Sequence, residues 1–329
     1  GLTPLSLMPK ESLAIMNGTS VMAALACIAC ERAARLAESA CALTALCVDA
    51  LAGQRAHYDP RLFAAKAHVG QAECAALIRQ HLGERQAPPP VAARIQERYS
   101  LRCAPHVIGV LQDVLPFCRR VLETQINRAS DNPLIDPDTG DVLHGGNFYG
   151  GHVAMVADTL KSAVANVADL LDRQLILMNA PETNHGLPEN LVATQGSARF
   201  SHHGFKAMEI TASSLTAEAL KLSMPASVFS RSTEGHNQDK VSMGTLAVQD
   251  LLQILELTET VAAVHAMAAA QAMELRGLAH LPAEPRALHA AIREHASFMQ
   301  EDRPLDAEIV RVTQLVQSGL VRHSVAQLS

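Results

Sequence analysis

Alanine- and leucine-rich stretches dominate the chain, and short polar segments bearing glycine or proline interrupt them. Apolar residues recur at helical spacing and predict helices from Thr19 or Ser20 to about Leu51, about Pro60 to Leu82, and His106 to about Ala129. Further helices are predicted from about Gly151 to Met178, Gln195 to Lys221 and Lys240 to Leu275, with Gly277 as a stop for the last. Two shorter amphipathic helices follow near Pro285–Met299 and Leu305–Val316. The first helix is apolar around most of its circumference, which predicts burial, here within an oligomer core. Pro88-Pro89-Pro90 stiffens a linker, and Asp136 to Asp141 carries the turn chemistry of a short hairpin tip. With almost no other strand signal, the pattern predicts an all-α bundle of long helices, read as one body over 1–329.

Composition narrows this picture. Hydrophobic residues make up 48% of the 329 positions, yet only 3% are aromatic and none is tryptophan, so small aliphatic side chains must fill the core. Such side chains let helices approach closely, as bundles require. A net charge of −6 leaves no electrostatic footprint for nucleic acid. The apolar stretch Val21–Cys30 is too short to span a bilayer, and no membrane partner is expected. Seven cysteines, an odd number scattered through helical segments, predict reduced thiols and a cytoplasmic setting. Cys27 and Cys30 have a metal-like spacing but lie in an apolar run without a partner pair, so they read as buried hydrophobes. Among fifteen histidines, His202 and His203 are adjacent and point to different helix faces, so no metal site is expected. A phosphate loop, a nucleophile elbow and a dinucleotide fingerprint are all missing from the sequence.

The polar interruptions hold the candidate chemistry. Tyr99 and Arg102, three residues apart, would share one face of a helical turn that Pro105 limits. A guanidinium beside a phenol suits a carboxylate ligand, although a surface arginine and a half-buried tyrosine would give the same pattern. Asn17, in Asn17-Gly18-Thr19, and Asn132, in Asp131-Asn132-Pro133, both fit plain turn chemistry, with Thr19 as a helix cap. In His144-Gly145-Gly146-Asn147-Phe148 the glycines permit close backbone approach or positive φ. Phe148, one of seven phenylalanines, is either a ring-stacking residue or an ordinary core residue. His236-Asn237-Gln238-Asp239 reads locally as a solvated loop before a long helix.

In this order, from Gly1 to the Asp302-Arg303-Pro304-Leu305 block, these segments closely resemble the aromatic amino acid ammonia-lyases and their sister 2,3-aminomutases. The resemblance implies a helical bundle of the fumarase/aspartase-like superfamily, a homotetramer with sites drawn from three subunits, and an aromatic amino acid substrate. It also implies a methylidene-imidazolone electrophile formed from an internal Ala-Ser-Gly tripeptide, and a lid tyrosine acting as base. Neither element is found here: the sequence has no Ala-Ser-Gly, and its three tyrosines are Tyr58, Tyr99 and Tyr149. The chain therefore reads as the C-terminal portion of such an enzyme, needing the N-terminal segment. By resemblance, Asn17 hydrogen-bonds the electrophile, Tyr99 lies beside it, Arg102 holds the substrate carboxylate, Asn132 lies near that carboxylate, and Phe148 packs on the electrophile. Gln238 stands where histidine ammonia-lyases look to place Glu, which favours phenylalanine or tyrosine over histidine.

Three alternatives accompany the ammonia-lyase reading. A 2,3-aminomutase shares the elimination and returns ammonia to the β-carbon, and the 98–109 and 237–244 spellings suit it equally. A non-catalytic half-chain would keep the bundle and need an N-terminal partner. A fumarase-type lyase would need a signature loop that Gly204 to Pro225 does not supply.

Overall fold

A computed structural model describes residues 2–84, 95–279 and 281–321; the Pro88–Pro90 linker lies outside them. Helix α1 spans Glu11–Asn17 and turns at Gly18 into α2, Ser20–Ala50. The predicted second helix is two, α3 (Pro60–Ala64) and α4 (Val69–Leu82), broken where Ala67 takes a left-handed conformation. A single turn, α5 (Tyr99–Arg102), leads into α6 (Ala104–Ile126), so Pro105 stands in the first turn of the next helix, where proline costs no hydrogen bond. The hairpin of β1 (Leu134–Ile135) and β2 (Val142–Leu143) flanks the expected turn. Then come α7 (Gly151–Asn179), α8 (Lys206–Leu222), α9 (Gly244–Arg276), α10 (Ala283–Arg293) and α11 (Asp306–Ser318).

The core lies where α2, α7 and α9 run together, with α4 and α6 packed against α2, α8 against α7 and α9, and α11 against α9 and α2. Alanine makes this possible: Ala262, Ala263, Ala266, Ala268, Ala269 and Ala270 of α9 are all fully buried. By length and composition α9 could cross a membrane, but here it is the central, largely buried helix. The oligomer core expected around α2 needs revision. From Leu36 to Ala50 nearly every residue is buried by the chain's own helices, while Val21 and Ile28 near its start stay exposed.

Polar ties cross the apolar interior. Arg32 of α2 pairs with Glu259 of α9 at 2.6 Å, and Gln317 of α11 donates to the same carboxylate. Gln174 of α7 donates to Thr44 of α2 at 3.0 Å and to the Ser100 carbonyl at 2.9 Å.

Two predicted helices start late. The segment Gly196–Ser201 is only a 3-10 turn, and α8 waits until Lys206. Gly204 has φ +56, a side chain there would meet the Asn190 carbonyl oxygen at 2.3 Å, and the Asp302 carboxylate takes the His203 and Gly204 amides. Likewise α9 starts at Gly244, because Met243 at φ 59 breaks the run from Lys240. The stop at Gly277 is observed, with φ 99 and its amide bonded to Met273 and Glu274 carbonyls.

Candidate active site

Four polar segments meet where α7 and α9 begin, around a cleft of about 720 Å³. Asn17, Asn132, Phe148 and Gln238 all line it; Tyr99 and Arg102 do not.

Two glycines bring the helix starts together. Gly150 takes φ +68, and a Cβ there would lie 2.7 Å from the Met22 sulfur; one on Gly244 would lie 2.9 Å from the same atom. Sequence reasoning assigned this need to Gly145 and Gly146. Neither has positive φ, and a Cβ on either would meet nothing within 4 Å.

Thr19 organises the wall around Asn17. Its hydroxyl does not cap α2, as expected, but bonds the Ser130 hydroxyl at 2.7 Å and accepts from Gln125 at 2.7 Å. Ser130 also donates to the Asn147 carbonyl, which joins the Asn17, Asn132 and Phe148 segments. Asn132 accepts the Gly145 amide at 2.8 Å. Asp131 is paired with Lys10, and that hydrogen bond holds its carboxyl below the usual range. The exposed Asn17 amide has no hydrogen-bond partner among the described residues, and Phe148 is 38% exposed toward the cleft.

Gln238 sits on a loop after α8. Its backbone exchanges hydrogen bonds with Thr233 at 2.9 and 3.2 Å, and its side-chain oxygen accepts from the Thr233 hydroxyl at 3.3 Å. Tyr149, Asp239 and Lys240 also line the cleft and were not singled out from sequence. Their signal was adjacency to Phe148 and Gln238.

Tyr99 and Arg102 sit at the other end of α7. Gln174 reaches the Ser100 carbonyl, and the 24 residues from Gly150 to Gln174 span about 36 Å at helical rise. The expected shared face is present, with the Arg102 guanidinium 4.6 Å from the Tyr99 ring centroid. Arg102 Nε donates to the Glu97 carbonyl at 3.0 Å, and no described residue takes its remaining guanidinium protons. Tyr99 is 72% exposed. Nearby, His57 Nε2 accepts the Glu97 amide at 3.1 Å, and burial lowers its pKa, consistent with a neutral ring.

Residues 1–294 match the aromatic amino acid lyase family. The chain belongs to that family. It is 36% identical over 333 residues to the histidine ammonia-lyase of Koribacter versatilis, covering 97% of this chain and 64% of that relative. The histidine ammonia-lyase of Anaeromyxobacter dehalogenans is 37% identical, with 97% and 63% covered. The chain thus spans less than two thirds of the length of these relatives. The fold is similar to that of tyrosine aminomutase from Streptomyces globisporus, with a TM-score of 0.89, 30% identity, and 99% of this chain and 65% of that one covered. Histidine ammonia-lyase from Trypanosoma cruzi gives 0.87 at 30% identity, with 99% and 61% covered.

This lyase family uses the methylidene-imidazolone electrophile. An unpartnered amide donor, an exposed aromatic face and a cavity of this size fit such a group. Asn17 and Phe148 would hold it.

Proposed function

We propose that the complete enzyme containing this chain eliminates ammonia from an aromatic L-amino acid, phenylalanine or tyrosine in preference to histidine, giving the trans α,β-unsaturated acid. The observation that carries this reading is the meeting of Asn17, Asn132, Phe148 and Gln238 in one cleft. When bound, the electrophile supplies the capture of the substrate, through its amino group.

This chain's residues bind and orient the substrate, while the base that removes the β-proton is, by the resemblance, the lid tyrosine of the N-terminal segment. Asn17 donates from a fixed amide toward the electrophile, where negative charge develops. Phe148 gives the cleft an apolar face. Gln238 offers a neutral partner to the substrate ring, which suits phenyl or phenol better than imidazolium. Arg102 takes the substrate carboxylate with its free guanidinium edge and so converts binding into alignment; Tyr99 adds a phenol beside it. At about 36 Å from the cleft, they act in a homotetramer, where one copy's Tyr99–Arg102 end completes another's cleft.

The test is release of ammonia, with the absorbance of the unsaturated product, from phenylalanine, tyrosine and histidine. Turnover of histidine alone refutes the preference, and no release from any of the three refutes the reaction. Two further readings have specific support. The relatives named as histidine ammonia-lyases at 36–37% identity favour histidine. Likeness to a tyrosine aminomutase favours return of ammonia to the β-carbon, which a β-amino acid product would reveal.

A further inference from the structure

We infer that the buried Lys161–Asp158 pair is a positioning clamp for the loop that carries Asn237 and Gln238 into the cleft. This rests on the reading of that cleft as the substrate site. Lys161, on α7, is fully buried, and its ammonium lies 2.9 Å from Asp158, 3.3 Å from Asp250 of α9 and 2.7 Å from the Met224 carbonyl. The two Asp158 carboxylate oxygens accept the amides of Ala226 and Ser227 at 2.9 and 3.0 Å. Three loop residues, Met224, Ala226 and Ser227, are thus tied to a point fixed by charge on two long helices. Burial pushes the Asp158 carboxyl up, but its hydrogen bonds outweigh this and leave it below the usual range, so it is ionised at neutral pH.

Beyond this clamp the loop is shaped by its own hydrogen bonds, among them the Thr233–Gln238 bridge. Apolar burial holds Ala226 alone in this stretch, at 3% exposed, while Met224, Val228 and Phe229 are 59%, 65% and 45% exposed. At the tip, Glu234, Gly235 and His236 are all left-handed, at φ 52, 60 and 69, a run that persists only when its surroundings over-determine it. The far end closes where the Val241 amide donates to Ser230 at 2.9 Å. A buried ion pair is a weak source of stability, since an apolar pair of equal volume serves as well. Its hydrogen-bonding geometry is what an apolar pair cannot replace.

The test uses Lys161→Met and Asp158→Asn in the complete polypeptide. Asparagine keeps one oxygen for the loop amides, whereas Asp158→Ala keeps none, so the Asn variant should retain more activity. Lys161→Met should lower kcat/KM about tenfold or more, and the loss should shrink to under about threefold when Gln238→Ala is already present. Tryptic cleavage after Arg231 and Lys240, both exposed loop sites, should accelerate in Lys161→Met. Additive losses, or unchanged cleavage in both Lys161→Met and Asp158→Asn, overturn the clamp. Wild-type protein that releases no ammonia overturns the substrate-site reading instead, and cleavage then decides the clamp alone.

Discussion

At its Gly150 end, α7 meets polar residues from four separate chain segments; at its Gln174 end it holds a single helical turn bearing Tyr99 and Arg102. The first end is a hollow with an unpartnered amide, a half-exposed phenyl ring and a neutral glutamine, its Asp131 already paired with Lys10. The second offers an aromatic-stacked guanidinium and a small hollow of about 10 Å³ beside Glu97, Arg98 and Leu101. Each end supplies what the other lacks. On the proposed function, the difference means that one chain carries two parts of a site, which association with other copies would join.

The sharpest way to break this comparison is to remove the guanidinium. Arg102→Ala should cost about 3 kcal/mol of transition-state stabilisation, roughly a hundredfold in kcat/KM. Arg102→Lys should recover little, because an ammonium cannot present two parallel donors to a carboxylate. Wild-type kcat/KM in Arg102→Ala would refute the carboxylate role. Complementation sharpens it further. Subunits of Asn17→Ala and Arg102→Ala, each impaired alone, should regain at least about tenfold activity when mixed, because some composite sites then hold both native residues. Mixtures no better than the parents would mean that the two ends never meet.

These two ends differed in how well sequence revealed them. Tyr99 and Arg102 were legible as a pair because a helical turn is local, and the stacked geometry follows from their spacing. The cleft was legible only as a set of polar blocks. Turn chemistry explained Asn17 and Asn132 equally well, and only the packing of α1 and the hairpin loop against Thr19 and Ser130 brings them together. The need for glycine moved from Gly145 and Gly146 to Gly150 and Gly244 because it depends on Met22, distant in sequence. The same physics delayed α8, whose start is set by Asn190 and Asp302 rather than by its own periodicity. The long helices α7 and α9 ended near their predicted limits because apolar spacing and Gly277 act within a few residues.

The span linking the ends offers a second point of attack. Helix α9 begins at the cleft, and Arg276 at its other end donates to carbonyls of Ala50 and Asn184. Between them His265 is fully buried, neither ring nitrogen has a partner among the described residues, and burial lowers its pKa to about 3. With a folded pKa below the unfolded value of about 6.5, the unfolded state binds the proton first. The resulting stability is present above pH 6.5 and is lost as pH falls from there toward 3. Between pH 6.5 and 5 this amounts to roughly 1.5 kcal/mol. His265→Leu should flatten that part of the acid limb in denaturant titrations, and parallel curves for the two proteins would exclude it. If the span holds both ends in register, activity in the wild type should fall along the same limb.

The smallest expected effect bears on the cleft end alone. Gln238 lies opposite Thr233, accepts its hydroxyl, and faces the hollow with a neutral amide. Gln238→Glu would place a charge there with little change of shape. A carboxylate at this point stabilises an imidazolium and disfavours an electron-rich phenol, so the histidine-to-tyrosine ratio of kcat/KM should rise about tenfold, worth about 1.4 kcal/mol. The Thr233 hydroxyl can still donate to the new carboxylate, so the loop should keep its shape and stability should change little. Arg102→Ala lowers turnover of every substrate, whereas this change should redistribute it between substrates. An unchanged ratio would remove the ground for preferring phenylalanine or tyrosine, and the names of the 36–37% identical relatives would then carry the choice toward histidine.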